Sequence, residues 1–167
     1  LLELSKIERH GFTLDVVPTK LQDILVRVVD LTSAQLENKN MQFDVEIEQD
    51  AVILGDINRL MQIFTNLINN AIAYSKEETT VTLRISANDQ YGIFEVKDEG
   101  IGIEKAEISR IFERFYRVDR ARSRNSGGTG LGLSIVKHLI EAHNGKIIVQ
   151  SEVGKGTSIK VYLPLKD

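Results

Sequence analysis

The chain has 167 residues, 42% of them hydrophobic and 27% charged, which suits one compact domain with a short extension and excludes a large multidomain enzyme. It contains no Cys and three scattered His (His10, His138 and His143), so disulfides, thiolate zinc sites and cysteine nucleophiles are excluded and a histidine-rich metal centre is disfavoured. The net charge of −3 speaks against general nucleic-acid binding, yet six arginines between Arg110 and Arg124 face only Glu113 and Asp119, a local +4 that leaves the remainder near −7.

No apolar run reaches the roughly 18 residues needed to cross a bilayer. Leu1, Leu4 and Ile7 are spaced as on a helix that stops at Gly11, and with no starting Met the chain reads as a piece of something longer. A short strand is expected over Phe12–Val17, before Pro18. Leu21, Ile24, Leu25, Val28 and Leu31 then mark an amphipathic helix ending near Asn38–Asn40. Phe43, Val45 and Ile47 alternate as a strand. Ile57, Leu60, Met61, Phe64, Leu67, Ile68, Ala71 and Ile72 form the clearest helical stripe, the central helix, with Asp56 as its cap. A hairpin follows, with Val81, Leu83 and Ile85 alternating, a turn at Asn88–Asp89, then Phe94 and Val96 leading to Asp98. A short helix is expected over Ile108–Phe115, and Asp119–Gly130 has no apolar period and reads as a long loop. A last helix with Ile135, Val136, Leu139 and Ile140 inward stops at Asn144–Gly145, before strands at Ile147–Val149 and Ile159–Leu163. This order predicts an α+β two-layer sandwich, a mixed but mostly antiparallel sheet with helices on one face.

Three motifs carry chemistry. Asn66 and Asn70 lie four apart on the central helix, hence on one face, which Arg59 and Gln62 continue. They are either a solvated polar face or, through a hard amide oxygen, a ligand for Mg²⁺ completed by phosphates. Asp98-Glu99-Gly100-Ile101-Gly102-Ile103 ends a strand and fits two readings. It is a tight turn needing glycine, or a fixed acceptor for an exocyclic amine beside backbone that a flat ring can approach. Gly127-Gly128-Thr129-Gly130-Leu131-Gly132-Leu133 runs straight into a helix, and free N–H groups at a helix start attract anions. The alternative is a hinge without ligand. The run is neither a P-loop nor a dinucleotide fingerprint, because the Lys-Ser/Thr pair and the preceding strand are missing.

In this order, with Phe112-Glu113-Arg114-Phe115-Tyr116 between the last two, the motifs resemble the N, G1, F and G2 boxes of sensor histidine kinase catalytic domains, with the Bergerat-type sandwich of the gyrase/histidine-kinase superfamily. The resemblance covers about Lys20 to Leu165, including Gly154-Lys155-Gly156-Thr157, and the wording of Ile111–His143 is most similar to the PhoR type, then the WalK type. It implies that ATP and Mg²⁺ bind here. Asn70 would hold the metal, Tyr74 would line the nucleotide, and Asp98 would bind the adenine amine with Gly100, Gly102 and Ile103 beside the ring. Arg117 would neutralise the γ-phosphate, and Gly128, Thr129, Gly130, Leu131, Gly132 and Leu133 would surround the phosphates. Residues 112–131 would be a lid, 1–10 the stub of the second dimerisation helix, 11–19 a linker with a short strand, and 20–167 the catalytic domain.

Asn66 stands where the related hydrolysing ATPases have a Glu base; an amide disfavours hydrolysis and favours transfer, so Asn66 and Arg117 are the catalytic candidates. The resemblance further implies a His-bearing dimerisation domain of the same kinase as acceptor and a response regulator downstream. It implies a monomeric fragment, a homodimeric parent and a cytoplasmic place beneath a membrane-anchored parent. None of the three His is followed by an acidic residue as a phosphoacceptor would be, and Ala73 stands where the family usually has a phosphate-holding Lys. A nucleotide-dependent interaction module without phosphotransfer is the alternative, with a hydrolysing clamp as a third reading.

Overall fold

The computed structural model describes residues 13–113 and 132–166. Expectations that fall on residues 1–10, on Arg117 and on 119–131 lie outside that range.

Strand β1 (Val17–Lys20) leads directly into helix α1 (Leu21–Asn38), followed by β2 (Gln42–Ile47), β3 (Val52–Gly55) and the central helix α2 (Ile57–Tyr74). The hairpin is β4 (Thr80–Ala87) and β5 (Tyr91–Asp98). After it come a single helical turn, α3 (Lys105–Ile108), helix α4 (Gly132–Ala142), and the antiparallel pair β6 (Lys146–Glu152) and β7 (Gly156–Pro164). The five-stranded sheet has the order β2-β4-β5-β7-β6, with β2 parallel to β4 and the other neighbours antiparallel. The parallel pair follows from its connection, since the chain crosses from β2 to β4 through β3 and α2.

Alternation along β4 and β7 sends Val81, Leu83, Ile85, Ile159, Val161 and Leu163 into one core with the apolar stripes of α1, α2 and α4. Phe64 of α2 stacks on Phe94 of β5, ring centroids 4.0 Å apart, and so presses the central helix onto the middle of the sheet. The opposite face is polar: Arg84 bonds Glu46 across β2 and β4 and lies 3.6 Å from Glu95 of β5.

Two expected elements are displaced and one is new. The first strand is Val17–Lys20, not Phe12–Val17, and it includes Pro18 opposite Leu54. Proline is tolerated because β1, which among the described residues pairs with β3 alone, is an edge strand where a missing N–H can face away from the ladder. The short helix is Lys105–Ile108, and over the described part of the expected Ile108–Phe115 span Arg110 and Glu113 donate to carbonyls three residues back, which makes turns rather than a continuing helix; residues 114 and 115 lie outside the described range. Strand β3 was not expected, because four residues without polar alternation carry no period. The caps match expectation: Asp56 accepts from the Arg59 backbone N–H at 3.1 Å, and Asn144, at φ 61°, ends α4.

Candidate functional site

The site begins where β5 ends. The Asp98 Oδ1 accepts the Gly100 backbone N–H at 2.8 Å and the Thr157 backbone N–H at 3.1 Å, while Oδ2 takes no hydrogen bond from the described residues. Burial lifts the Asp98 carboxyl to about 6, with the two backbone donors pulling the other way. A carboxylate so fixed, with one oxygen left over, is an acceptor for an external N–H.

The turn after Asp98 is tied on both sides. Gly100 forms an antiparallel bridge with Ser75, and the Ile101 N–H donates to the Tyr74 carbonyl at 3.3 Å, joining the turn to the end of α2. On the other flank Gly154 N–H donates to the Ile101 carbonyl at 2.8 Å and Ile103 N–H to the Ser151 Oγ at 2.8 Å. Ser151 Oγ in turn donates to the Gly156 carbonyl at 2.9 Å and lies 2.7 Å from Thr157 Oγ1. Gly102 sits at φ 75° with a Cβ position 2.2 Å from the Glu152 carbonyl oxygen, and Gly156 at φ 120° with one 2.1 Å from the Asp98 carbonyl oxygen. No side chain fits at either place. The tight-turn reading of this motif is therefore correct, and it leaves the acceptor reading intact.

The second half of the site is helical. Asn66 and Asn70 are half-buried on α2, and neither amide hydrogen-bonds another described residue. Tyr74, one turn beyond Asn70, is also half-buried. A Cβ at Gly132 would lie 4.0 Å from Asn66 Cγ, so the start of α4 abuts the amide face of α2. Ser134, beside Leu133 in the first turn of α4, donates to the Phe112 carbonyl at 2.9 Å. At the far end of α4 the buried His143 accepts the Asp56 backbone N–H at Nε2, 3.1 Å, and places Nδ1 2.8 Å from the Leu139 carbonyl. Both ends of α4 are thereby tied to their surroundings. His138 is exposed on the same helix.

The structure thus brings Asn66, Asn70, Tyr74, Asp98, Gly100, Gly102, Ile103, Gly132 and Leu133 to neighbouring positions on α2, the β5 end and the α4 start. Arg117, Gly128, Thr129, Gly130, Leu131 and most of the expected lid lie outside the described residues. Thr157 and Ser151 were missed as site-builders. Their signal was the Gly-Lys-Gly-Thr turn, whose link to Asp98 spans 59 residues and exists only once β5 and β7 pair.

A divalent cation fits the helical half in one manner. Among the described residues no group of three or more His, Cys, Asp or Glu gathers, so a cation at Asn70 would take one amide oxygen and complete its shell from phosphate and water. That donor set suits Mg²⁺.

The family model for histidine kinase-, DNA gyrase B- and HSP90-like ATPases matches residues 55–167. The sensor histidine kinase WalK of Bacillus subtilis is 36% identical, covering 100% of this chain and 28% of that protein. The sensor protein kinase WalK of Staphylococcus epidermidis is 39% identical, with 98% and 27% covered. WalK is the second of the two types suggested by sequence. The crystal structure of full-length ShkA in complex with AMPPNP superposes with a TM-score of 0.86 at 30% identity, over 98% of this chain and 34% of that one. The chain therefore spans under a third of the length of these curated relatives.

Proposed function

Because the chain belongs to the histidine kinase-, DNA gyrase B- and HSP90-like ATPase family, we propose that it is the ATP-binding catalytic domain of a sensor histidine kinase, passing the γ-phosphoryl group to a His on a separate dimerisation domain. The observation that carries this is the pairing of a half-buried, half-satisfied Asp98 carboxylate with two amides on the adjoining helix, Asn66 and Asn70, that bond no other described residue. The first offers an acceptor to the adenine amine, and the second a polar face to the phosphates. Kinase names among the relatives and the AMPPNP complex of ShkA support the same reading.

Each residue has a task that its chemistry suits. The Asp98 Oδ2 accepts from the exocyclic amine and so prefers adenine to guanine, while Gly100, Gly102 and Ile103 present backbone to the ring. Tyr74 lines the base. Asn70 holds Mg²⁺, which when bound neutralises phosphate charge and fixes the phosphate geometry. Gly132 and Leu133, with Gly128, Thr129, Gly130 and Leu131, give backbone donors to the phosphates, and Arg117 offsets charge developing on the γ-phosphoryl group. Asn66 orients without taking a proton, as the imidazole of the acceptor is itself the nucleophile.

The acceptor His, a response regulator, a homodimeric parent and its membrane anchor belong to the same proposal. Among the described residues no helix is long and apolar enough to cross a membrane. Ala73 favours a second reading, a nucleotide-dependent interaction module without transfer, because it withholds a cation from the phosphates.

The test mixes this chain with the His-bearing domain of its parent, γ-labelled ATP and Mg²⁺. Acid-labile label on the partner, lost with Asn70→Ala or Arg117→Ala, is the expected result. Mg-dependent ATP binding with no label transferred contradicts the kinase reading and supports the interaction module.

A further inference from the structure

Helix α2 ends beside the purine half of the site, and it ends without a basic residue in its last turn. The last carbonyls of a helix lack internal partners and form the negative end of its dipole. The cation that meets them comes from another element. Lys39, at the C-cap of α1, places Nζ 2.7 Å from the Ile72 carbonyl, 2.6 Å from that of Ser75 and 3.5 Å from that of Ala73. Its main chain is fixed as well: the Lys39 N–H donates to Leu36 at 3.2 Å, and its carbonyl accepts the Glu78 N–H at 3.0 Å.

The carbonyls held by the ammonium flank Tyr74. Tyr74 itself offers its carbonyl to the Ile101 N–H, and Ser75 bridges Gly100. One side chain therefore gathers the carbonyls on both sides of the residue that stitches α2 to the Asp98–Gly102 turn. An ammonium has three donors and can aim them at separate acceptors, which suits this arrangement.

We infer that Lys39 is a positioning residue for the nucleotide: by closing the end of α2 it holds Tyr74 and Ser75 against the Asp98–Gly102 turn, in the shape that receives the purine. Its consequence for ligand rests on the nucleotide reading above. Lys39 acts through Tyr74 and Ser75, so its loss weakens every adenine nucleotide alike, whatever the number of phosphates.

The experiment compares Lys39→Met, Lys39→Gln and Lys39→Arg with the unaltered protein, at temperatures well below unfolding. Two readouts are taken: hydrogen exchange of the Ile101 amide without nucleotide, and calorimetric affinity for ADP and for ATP. With Lys39→Met, Ile101 is expected to exchange about tenfold faster and both nucleotides to bind about five- to tenfold more weakly by the same factor, as loss of a charge-assisted hydrogen bond implies. Lys39→Gln should be intermediate and Lys39→Arg close to normal, which keeps the test decisive should the Met variant not fold. Unchanged exchange at Ile101, or faster exchange with unchanged affinities, overturns the positioning role alone. An unaltered protein that binds neither nucleotide overturns the functional reading as well, and that outcome is distinct from the others.

Discussion

The two halves of the site are built by different means. At the β5 end, Asp98, Gly100, Ile101 and Ile103 are each held by hydrogen bonds to the end of α2, to β6, to β7 or to the turn between those two strands, and Gly102 and Gly156 occupy backbone shapes that other residues reach only with strain. At the helical end, Asn66 and Asn70 are placed by the register of α2 alone and bond no described residue. The first half is formed before any ligand arrives; the second presents groups whose partners the ligand supplies. A substitution that alters the backbone of the β5 end should therefore disturb the fold and all adenine nucleotides together, one at the Asp98 carboxylate should weaken adenine nucleotides without destabilising the fold, and one at the helical end should disturb phosphate-dependent binding and leave stability alone.

The largest effect is expected from Gly156→Ala. At φ 120° with a Cβ only 2.1 Å from the Asp98 carbonyl, the change should cost about 2–4 kcal/mol of stability and abolish ADP binding, measured by thermal unfolding and calorimetry. A variant with normal stability would show that this half is less rigid than its bonds imply.

Asp98→Asn separates fold from ligand. The folded carboxyl titrates near 6 against an ordinary value of 3.8, so the folded state holds the extra proton between those values and stability falls as pH rises through that window. Above about pH 6 the partly desolvated charge is a fixed cost, which the neutral amide removes. Asp98→Asn should thus be more stable by about 1–3 kcal/mol at pH 7 and no different near pH 4, while binding ADP roughly 10- to 100-fold more weakly.

Asn70→Ala should leave stability within about 0.5 kcal/mol of the unaltered protein, since its amide makes no bond to another described residue. Mg-dependent ATP binding should fall about tenfold and metal-free ADP binding should not change. The smallest effect is expected from Ala73→Lys, which restores a cation near the phosphates and should tighten ATP a fewfold over ADP, as one partly exposed charge contributes about 0.2–1 kcal/mol.

How far each half could be read from sequence follows from the same difference. Asn66 and Asn70 were legible because helical spacing alone puts them on one face of one helix, Tyr74 only through the family resemblance, and Gly132 because a glycine run enters a helix. The Asp56 cap and the Asn144 stop were legible for the same local reason. The contacts of Thr157, Ser151 and Lys39 were not, because each joins segments more than thirty residues apart, apart from the Ser151–Gly156 and Ser151–Thr157 pairs within the β6–β7 turn. Strand β3 and the shift of β1 across Pro18 also depend on tertiary pairing, since Val52–Gly55 has no period and Pro18 is acceptable only at an edge. Composition fixed the class of domain, and only the sheet order revealed what holds Asp98.

The central claim is that Asp98, as a carboxylate, reads the adenine amine. The direct measurement is calorimetric titration of the unaltered protein with Mg·ADP and with Mg·GDP from pH 5 to pH 8. The account predicts ADP affinity that is level above about pH 6 and falls below it towards tenfold per pH unit, with GDP bound far more weakly throughout. Equal affinity for the two nucleotides, or an ADP affinity that does not move between pH 5 and pH 8, would contradict it.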